Sequence, residues 1–311
     1  MATSKKSFAK NNTSAFKDTY QDVTDAVIKA LAEGTVVWQC PWNQVGLPKN
    51  VTTGIEYRGW NIFWLNWHTI IKGYKTPFYI TYKQAQELGG SIKMGEKGIK
   101  IIYWASIELK NQSTNTENQD SEEPNEKYPT RLVPKEHTVF NIDQAEGIQF
   151  PVVEALIKNE AAKIEACEEV IRNMPNKPGI NIDGSSAYYI RSTDKVVVPN
   201  LKVHNSSEEF YCTLFHELAH STGHESRLNR KELLDGGREN YSKEELTAEL
   251  TAAFLCAVTG IQQKTIDNSA AYIKGWLSAL KNDKTLILKA ASQAQKAADY
   301  ILNAKRVAQA A

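Results

Sequence analysis

Cysteine is scarce in this chain of 311 residues and shows no pairing pattern. The four cysteines lie far apart, and none belongs to the C-x-x-C pair that is typical of zinc fingers and dithiol redox sites. Small secreted domains held together by disulfides carry more cysteines at closer spacing. The sequence therefore predicts scattered thiols in a reducing compartment. They are Cys40, Cys167, Cys212 and Cys256.

Long hydrophobic runs are also missing. No segment approaches the roughly 18–20 apolar residues that cross a bilayer, and the first residues, MATSKKSFAKNNTSAF, lack the apolar stretch of a signal peptide. Residues 1–13 are polar and have no periodicity, which predicts a disordered tail. We therefore expect a soluble cytoplasmic protein with no membrane partner.

A large net charge of either sign is lacking as well, since 37 basic and 36 acidic residues give a net charge of only +1. This excludes a polycationic DNA binder but leaves room for a local basic surface. Residues 14–107 hold ten Lys and Arg against seven Asp and Glu, whereas residues 108–136 hold four against seven. The segment 111–126 has five acids and no base, which predicts a disordered acidic insertion. A modestly basic N-terminal region is thus offset by this insertion.

The hydrophobic patterns predict an α+β protein of two domains, since single cores seldom grow beyond about 250–300 residues. Residues 14–150 alternate helical and extended patterns, and residues 151–311 are mainly helical. In the second domain we expect two strands, AYYIRS and KVVVPN, joined by a short turn. The expected helices are one ending before Gly34, one over 60–72, and others near 151–174, 207–223, 243–258, 268–281 and 285–304.

The most specific motif is H-E-x-x-H, formed by His216, Glu217 and His220. Residues four apart share one face of a helix, so both imidazoles can bind the same metal ion. Glu217 is then placed to take a proton from a water molecule activated at the metal. Ser206 or Ser207 is expected to cap this helix, with an apolar face opposite the histidines. These features predict a zinc site with Glu217 as the general base.

Two histidines leave one protein ligand to be found. His224 lies four residues beyond His220, but Gly223 is expected to end the helix and turn His224 away. Many zinc peptidases take the third ligand from a glutamate on a following helix, and the residue four positions later supports a ligand histidine. Glu245 and Glu249 have this spacing. We assign Glu245 as the ligand and Glu249 as the supporting residue, with the reverse order as the alternative.

Two weaker features suit a peptidase. The strand KVVVPN is a candidate edge strand to which an extended peptide could pair. Tyr241, just before the second motif helix, is a candidate donor to a developing oxyanion. Packing is the alternative role for Tyr241.

Six of the seven tryptophans lie in the first third of the chain and alternate with basic residues. Single-stranded nucleic acid is bound by such sets, because bases stack on the rings and cations follow the phosphates. The loop KMGEKGIK adds glycines that let backbone N–H groups approach phosphate. Core packing is the alternative role for the tryptophans. The candidate DNA-binding residues are Trp38, Trp42, Tyr57, Arg58, Trp60, Tyr74, Lys83, Lys93, Lys97, Lys100 and Trp104.

Long segments of both halves resemble one protein family. DTYQDVTDAVIKALAEGTVVWQCPWN, TGIEYRGWN and GYKTPFYITYKQAQELGGSIKMGEKGIKIIYW resemble the single-stranded-DNA-binding domain of ArdC-type antirestriction proteins, which conjugative plasmid primases share. AYYIRSTDKVVVPN, FHELAHSTGHESRLNR and YSKEELTAELTAAFLCAVTGI resemble the zincin-like metallopeptidase domain of the same proteins. These segments occur in the family's order along nearly the whole chain.

The resemblance implies an N-terminal domain that binds single-stranded DNA and a C-terminal zincin-like domain of the gluzincin type. It implies one Zn²⁺ per chain, with another divalent metal as the alternative, and an unidentified protein substrate. The expected function is to protect the DNA of a plasmid or other mobile element from host restriction. Two alternatives stay open: a non-enzymatic DNA-binding protector with a structural or vestigial metal site, and an accessory factor of a conjugative primase.

Overall fold

The computed structural model describes residues 12–38, 46–108, 130–150, 160–183, 185–235, 237–263 and 270–304. In the N-terminal half these form helices α1 (Asn12–Ala32), α2 (Trp60–Ile71) and α3 (Tyr82–Glu87), and strands β1 (Lys49–Asn50), β2 (Phe78–Thr81), β3 (Ser91–Ile92), β4 (Ile99–Glu108), β5 (Thr130–Asn141) and β6 (Ala145–Glu146). In the C-terminal half they form strands β7 (Gly179–Ile182), β8 (Tyr188–Ile190) and β9 (Lys195–Val198), and helices α4 (Glu160–Asn173), α5 (Ser207–Thr222), α6 (Lys231–Asp235), α7 (Arg238–Thr259), α8 (Ala270–Asn282) and α9 (Leu286–Ile301). The predicted α+β class is confirmed.

Several sequence predictions fall outside the described residues. They are most of the disordered tail at 1–13, the acidic insertion at 111–126 and the side chain of Trp42. The backbone of Trp104 belongs to β4, but its side chain is also outside the described set. The boundary at residue 150 adjoins the segment 151–159, which is not described, and it stays a prediction.

The N-terminal domain is built on a four-stranded sheet in the order β1-β2-β5-β4. β4 pairs antiparallel with β5 over its whole length. Helix α2 is fixed to this sheet by Asn61, whose side-chain amide donates to the Ile102 carbonyl at 2.6 Å and accepts from the Ile102 N–H at 3.0 Å. Because Asn61 is buried, both of these hydrogen bonds are needed to satisfy its side chain.

Helix α1 ends where the sequence predicted. Val23, Val27 and Leu31 are buried and share one face of the helix. Gly34 has a φ of 79° and donates its N–H to the Leu31 carbonyl at 3.1 Å. Only glycine adopts this left-handed backbone without a steric cost, so Gly34 stops the helix.

The C-terminal sheet has the order β7-β9-β8, with β7 parallel and β8 antiparallel to β9. The strand predicted from KVVVPN is β9, and it lies in the middle of this sheet. The prediction that it is an edge strand is therefore wrong. Its second partner, β7, is only four residues long and follows a Pro/Gly cluster, so no alternating pattern revealed it. Among the described strands, β8 is the edge strand that packs against α5.

Helix α5 runs through the centre of the C-terminal domain. Every residue from Phe210 to Thr222 is buried, so the helix is covered on all sides and is not amphipathic as its sequence suggested. Helices α7 and α9 both pack against it. Helix α7 begins at Arg238, earlier than the predicted residue 243. No helix among the described residues is long and apolar enough to cross a bilayer.

The two halves of the chain share one hydrophobic core. The ring of Trp38 is fully buried and meets Trp276 of α8 edge-to-face, with 5.3 Å between the centroids. Phe63 of α2 meets Phe254 of α7, with 4.7 Å between the centroids. Aromatic pairs of this kind bury large apolar areas. The N-terminal domain is therefore packed directly on the helices that surround the H-E-x-x-H motif.

Replacement of Phe254 by alanine is expected to lower the free energy of unfolding by about 3–5 kcal/mol, because it leaves a cavity between α2 and α7. Urea unfolding followed by tryptophan fluorescence measures this change. Val203→Ala is the control, since Val203 is 69% exposed, and it should change the free energy by no more than about 0.5 kcal/mol. An unchanged urea midpoint for Phe254→Ala would contradict the shared core.

Candidate metal centre and nucleic-acid interface

Helix α5 is capped at both ends by its own sequence. The hydroxyl of Ser206 accepts the backbone N–H of Glu209 at 3.2 Å, which identifies Ser206 as the N-cap. Two glutamates in the first turn interact favourably with the positive end of the helix dipole. Gly223 is the C-cap. His216 and His220 therefore lie one turn apart on the same face, close to the end of a rigid helix.

The side chains of His216, His220 and Glu245 converge. The two histidine Nε2 atoms are 3.1 Å apart, and the carboxylate oxygens of Glu245 lie 3.5 Å from His216 Nε2 and 3.3 Å from His220 Nε2. Tetrahedral zinc with bonds of about 2.0–2.1 Å requires donor atoms about 3.3–3.4 Å apart. All three residues are buried, with exposed fractions between 6% and 9%. This donor set fits a small divalent cation.

The residues that hold His220 in place were not predicted from the sequence. Its Nδ1 atom lies 3.1 Å from Glu244 Oε1. Arg230 donates from Nε to Glu244 Oε2 at 2.9 Å and from Nη2 to the Ala219 carbonyl at 2.8 Å. A carboxylate in this position orients a ligand histidine and raises its basicity. Glu244 and Glu245 are adjacent in the sequence, but only Glu245 is followed four residues later by another glutamate, Glu249. The prediction was based on that four-residue spacing and so did not include Glu244.

Glu249 lies beside the other histidine. Its Oε1 atom is 3.6 Å from His216 Nδ1, which is longer than a hydrogen bond, and Gln263 Nε2 approaches its Oε2 atom at 3.5 Å. His216 Nδ1 is buried and has no hydrogen-bond partner among the described residues. The geometry thus brings Glu245 into the donor set and leaves Glu249 outside it, next to a ligand histidine.

The pKa values around the donor set follow from burial and opposite charge. Burial alone lowers the pKa of His220, but hydrogen bonds with Glu244 and Glu245 outweigh burial and raise this pKa well above its usual value. Burial raises the pKa of Glu245, but hydrogen bonds with His216 and His220 outweigh it and bring this pKa below its usual range. The buried carboxylates therefore require positive charge close by, and a bound divalent cation would supply it.

Glu217 lies beside the donor set and is anchored by β8. Burial raises the pKa of Glu217, whereas the neighbouring histidines and a hydrogen bond with the Tyr189 backbone act in the opposite direction. The Tyr189 hydroxyl donates to Asp194 Oδ1 at 2.8 Å, and the guanidinium of Arg227 also pairs with Asp194. Arg227 Nε donates to the Ser221 carbonyl at 2.7 Å. These contacts tie the β8–β9 turn to the end of α5 and so fix the strand that contacts Glu217.

His224 and Tyr241 are outside the donor set. His224 Nδ1 lies 2.8 Å from Ser226 Oγ, because the chain turns away from the helix after Gly223, as predicted. Tyr241 lies near the start of α7, one turn before Glu245, and is 53% exposed. The four-residue spacing places Tyr241 on the Glu245 face of α7.

The aromatic residues predicted to bind DNA are mostly engaged in packing. Trp38 and Trp60 are 0% and 5% exposed. Neither ring offers a face to a base, so the interpretation of these two tryptophans as stacking residues is wrong. Tyr57 is half-buried and meets Tyr79 edge-to-face, with 6.3 Å between the centroids.

Three of the predicted basic residues are exposed but already paired with a carboxylate. Arg58 pairs with Asp299 of α9, and Lys83 Nζ lies 3.5 Å from Glu87 Oε1. Lys100 Nζ lies 3.6 Å from Glu136 Oε2. A neighbouring carboxylate weakens the electrostatic attraction between each cation and a phosphate. These three residues therefore contribute less to a DNA surface than their charge alone suggested.

The other predicted residues gather around the loop 93–98. Two cavities of about 750 Å³ and about 440 Å³ lie there, and Tyr74 belongs to the lining of both. Lys97 and Lys100 line the larger cavity, and Lys93 lines the smaller one. The structure therefore brings four of the predicted residues to one surface.

Helix α2 and its C-cap residue, Lys72, add three residues that were not predicted from the sequence. Trp64, His68 and Lys72 line the larger cavity. They are four residues apart, so they lie along one face of the helix. This spacing was visible in the sequence, but the segment was interpreted only as an apolar helix. Aromatic side chains beside lysines are typical of grooves that bind single-stranded nucleic acid.

Comparison with known families supports both halves of this description. The N-terminal domain of anti-restriction factor ArdC matches residues 17–140, and the zincin-like metallopeptidase family matches residues 165–293. The two matches follow each other along the chain without overlap. They confirm the predicted pair of domains.

Two relatives show how far the similarity extends. A protein of Sinorhizobium fredii (strain NBRC 101917 / NGR234), described as uncharacterized protein y4eC, is 33% identical over 290 residues, which are 91% of each chain. DNA primase TraC of Escherichia coli is 33% identical over 302 residues, which are 92% of this chain but 27% of TraC. This chain thus spans about a quarter of the primase.

Crystal structures of the antirestriction protein ArdC from plasmid R388 have the same fold. The metal-free structure is 35% identical with a TM-score of 0.72, and it covers 91% of this chain and 96% of that chain. The Mn(II)-bound structure is 34% identical with a TM-score of 0.71, and it covers 91% and 97%. The zincin-like match, the Mn(II)-bound relative and the converging donor atoms together indicate a divalent-metal site in this protein. Because the similarity in sequence and fold extends along nearly the whole chain, the protein belongs to the ArdC family of antirestriction proteins.

Proposed function

We propose that this protein is an antirestriction factor of a mobile genetic element that binds single-stranded DNA and hydrolyses peptide bonds at a zinc site. The observation that carries the enzymatic half is the convergence of His216, His220 and Glu245, with donor atoms 3.1–3.5 Å apart, beside the buried Glu217. A structural metal site has no need of a buried carboxyl group next to its ligands. This feature favours catalysis over a structural or vestigial site.

The metal would be held by three side chains. His216 and His220 present Nε2, and Glu245 presents its carboxylate. Three protein ligands leave one position for water or substrate, as in catalytic zinc sites. Bound zinc supplies a Lewis acid that polarises a carbonyl group and lowers the pKa of water. Glu244 and Arg230 keep the His220 ring in the orientation that this binding requires.

Glu217 would carry out the proton transfers. It accepts a proton from the attacking water while the water oxygen adds to the peptide carbonyl carbon. It then gives this proton to the leaving amine as the C–N bond breaks. The hydroxyl of Tyr241, a residue that is 53% exposed, is the proposed donor to the carbonyl oxygen, on which negative charge develops.

A polypeptide substrate would find an edge strand beside this site. β8 is the edge strand among the described residues that packs against α5, and its Tyr189 backbone contacts Glu217. An extended peptide that pairs with β8 would therefore run past Glu217. We propose β8 for this role in place of β9.

The two cavities at the loop 93–98 support the DNA-binding half. Trp64 and Tyr74 supply aromatic rings, and Lys72 and Lys97 supply positive charge. Few cations are involved, so stacking should contribute at least as much to affinity as charge does. The salt dependence of binding is then expected to be moderate.

The cellular function follows from the family. The related ArdC protein of plasmid R388 is an antirestriction protein, and we propose the same role here, in the bacterial cytoplasm, on DNA that enters as a single strand. The similarity to part of TraC supports a second candidate, an accessory role in priming during DNA transfer. A transfer assay into restricting and non-restricting recipients separates the two, because an antirestriction factor raises transfer only into the restricting cells.

The double variant His216→Ala/His220→Ala should lose its zinc. Purified wild-type protein is expected to contain about one zinc per chain, since the donor set holds a single ion. Inductively coupled plasma mass spectrometry measures the content. His224→Ala is the matched control and should keep its zinc, because His224 contacts Ser226 outside the donor set. Equal zinc in the double variant and the wild type would rule out this site.

Glu217→Gln should abolish protein hydrolysis and leave zinc content and DNA affinity unchanged. The amide cannot accept the proton from water, and loss of a general base lowers rates by about 10²–10⁴-fold. Transfer efficiency into restricting cells tests the consequence in vivo. Full protection by Glu217→Gln would contradict a role for proteolysis and favour the non-enzymatic protector.

Glu244→Gln should weaken zinc binding by about 10- to 100-fold without removing the ligands. A glutamine oxygen in the place of Glu244 Oε1 can still accept from His220 Nδ1 and Arg230 Nη2. The acceptor for Arg230 Nε and the negative charge that raises the basicity of His220 are lost. Competition with a chromophoric chelator measures the affinity. Glu232→Gln on α6 is the control for loss of one carboxylate, and an equal effect in both variants would contradict the assigned role of Glu244.

A further inference from the structure

The larger N-terminal cavity is bordered by a loop that hydrogen bonds hold in place. Its loop is held by Gln144, which is 2% exposed. Gln144 Nε2 donates to Glu96 Oε2 at 2.7 Å and to the Lys97 carbonyl at 3.1 Å, and its Oε1 accepts from Asn141 N–H at 2.9 Å. The loop and the end of the sheet are therefore locked together. The cavity of about 750 Å³ is large enough for a nucleotide.

One wall of this cavity is aromatic. Trp64 and His68 lie one turn apart on α2, with their rings edge-to-face and 4.6 Å between the centroids. Trp64 is only half-buried. Stacking of a base on such a ring is worth about 1–3 kcal/mol.

A buried polar atom in the same wall has no partner. His68 Nδ1 is buried and makes no hydrogen bond among the described residues. Burial, reinforced by the charge of Lys72, lowers the pKa of His68 to about 4, so the ring is neutral at pH 7. A buried polar atom without a partner costs about 1–3 kcal/mol. A ligand that hydrogen-bonds with His68 would remove this cost.

The charges of the cavity distinguish a base from a phosphate as the inserted group. The lining includes the carboxylates of Asp22 and Glu96 as well as the amines of Lys72 and Lys97. Both lysines are exposed, and within the described part of the chain neither has an ion-pair partner. A carboxylate repels phosphate but accepts hydrogen bonds from the N–H groups of a base. The carboxylates in the lining favour a base inside the cavity, and the exposed lysines favour phosphates at its rim.

We propose that this cavity takes one unstacked nucleobase of single-stranded DNA, with the base against Trp64, its polar edge toward His68 and Asp22, and the flanking phosphates at Lys72 and Lys97. This inference rests on the proposed function and deepens it, because it assigns the DNA-binding activity to a base-inserting site. The N-terminal domain then holds DNA at a fixed point rather than along a uniformly charged surface. The same site explains how a chain with a net charge of only +1 can bind a polyanion.

The test uses full-length protein and measures, by fluorescence anisotropy, its affinity for a fluorescein-labelled oligo-dT of 15 nucleotides. His68→Phe keeps an aromatic ring at this position but removes the unpaired nitrogen. The variant should therefore be at least as stable to heat as the wild type and yet bind oligo-dT about 5- to 10-fold more weakly. Trp64→Leu should bind about 10- to 100-fold more weakly. Tyr82→Leu on α3 is the matched control for loss of an aromatic ring, because Tyr82 is 53% exposed and lines neither cavity, and it should bind like the wild type. If Trp64→Leu does not fold, His68→Phe carries the test.

A cross-linking experiment locates the base directly. An oligo-dT with a single 5-iododeoxyuridine is irradiated in the complex, and the modified peptide is identified by mass spectrometry. We expect the cross-link on the peptide that contains Trp64 and His68. If the wild type binds oligo-dT but both variants keep its affinity and the cross-link maps elsewhere, the cavity assignment is overturned and DNA binding stands. If the wild type does not bind oligo-dT at all, the DNA-binding half of the proposed function is overturned as well.

Discussion

Burial of like charges between α5 and α7 is the constraint on which the C-terminal domain depends. The carboxylates of Glu217, Glu244, Glu245 and Glu249 are all less than 9% exposed, and Arg230 is the buried cation that pairs with Glu244. Uncompensated buried charges are strongly destabilising, so Glu244 and Glu245 require positive charge on Arg230, on the imidazoles or on a bound cation. Burial raises the pKa values of Glu217 and Glu249, which favours their protonated forms. Arg230 reaches Glu244 because the chain turns sharply after Gly223, where a Cβ atom would come within 3.0 Å of Arg230 Nη2.

The second constraint is the core that both domains share. Helix α2 contacts both the C-terminal domain and the N-terminal cavity. Phe63 packs on Phe254 of α7, the helix that carries Glu245, while Trp64 and His68 line the cavity. Adjacent residues of one helix thus contact the metal-site scaffold and the proposed DNA site. Separating the domains would expose aromatic rings on both sides, which is why experiments on either function need the full-length chain.

Much of the metal site could be predicted because its geometry is local. His216 and His220 lie four residues apart on one helix, so their shared face follows from helical periodicity alone. The caps at Ser206 and Gly223 and the left-handed Gly34 follow equally from the chemistry of single residues. The convergence of Glu245 with the histidines came from the spacing of two glutamates on a second helix, and the structure brings the first of the pair into the donor set.

The sequence by itself therefore determined the helices, the caps and the residue types that can bind a metal ion, because each depends on neighbours within one or two turns. Only the tertiary structure decided that β9 lies inside its sheet, that Trp38 and Trp60 belong to the core, and that Arg230 pairs with Glu244. It also decided that Trp64 and His68 line the larger cavity, while Trp38, with the same aromatic chemistry, lines neither of the two cavities at the loop 93–98. The physical reason is that burial and pairing depend on which distant segments of the chain pack together. Local periodicity shows which face of a helix or strand is apolar, but it does not identify the segment that packs against that face.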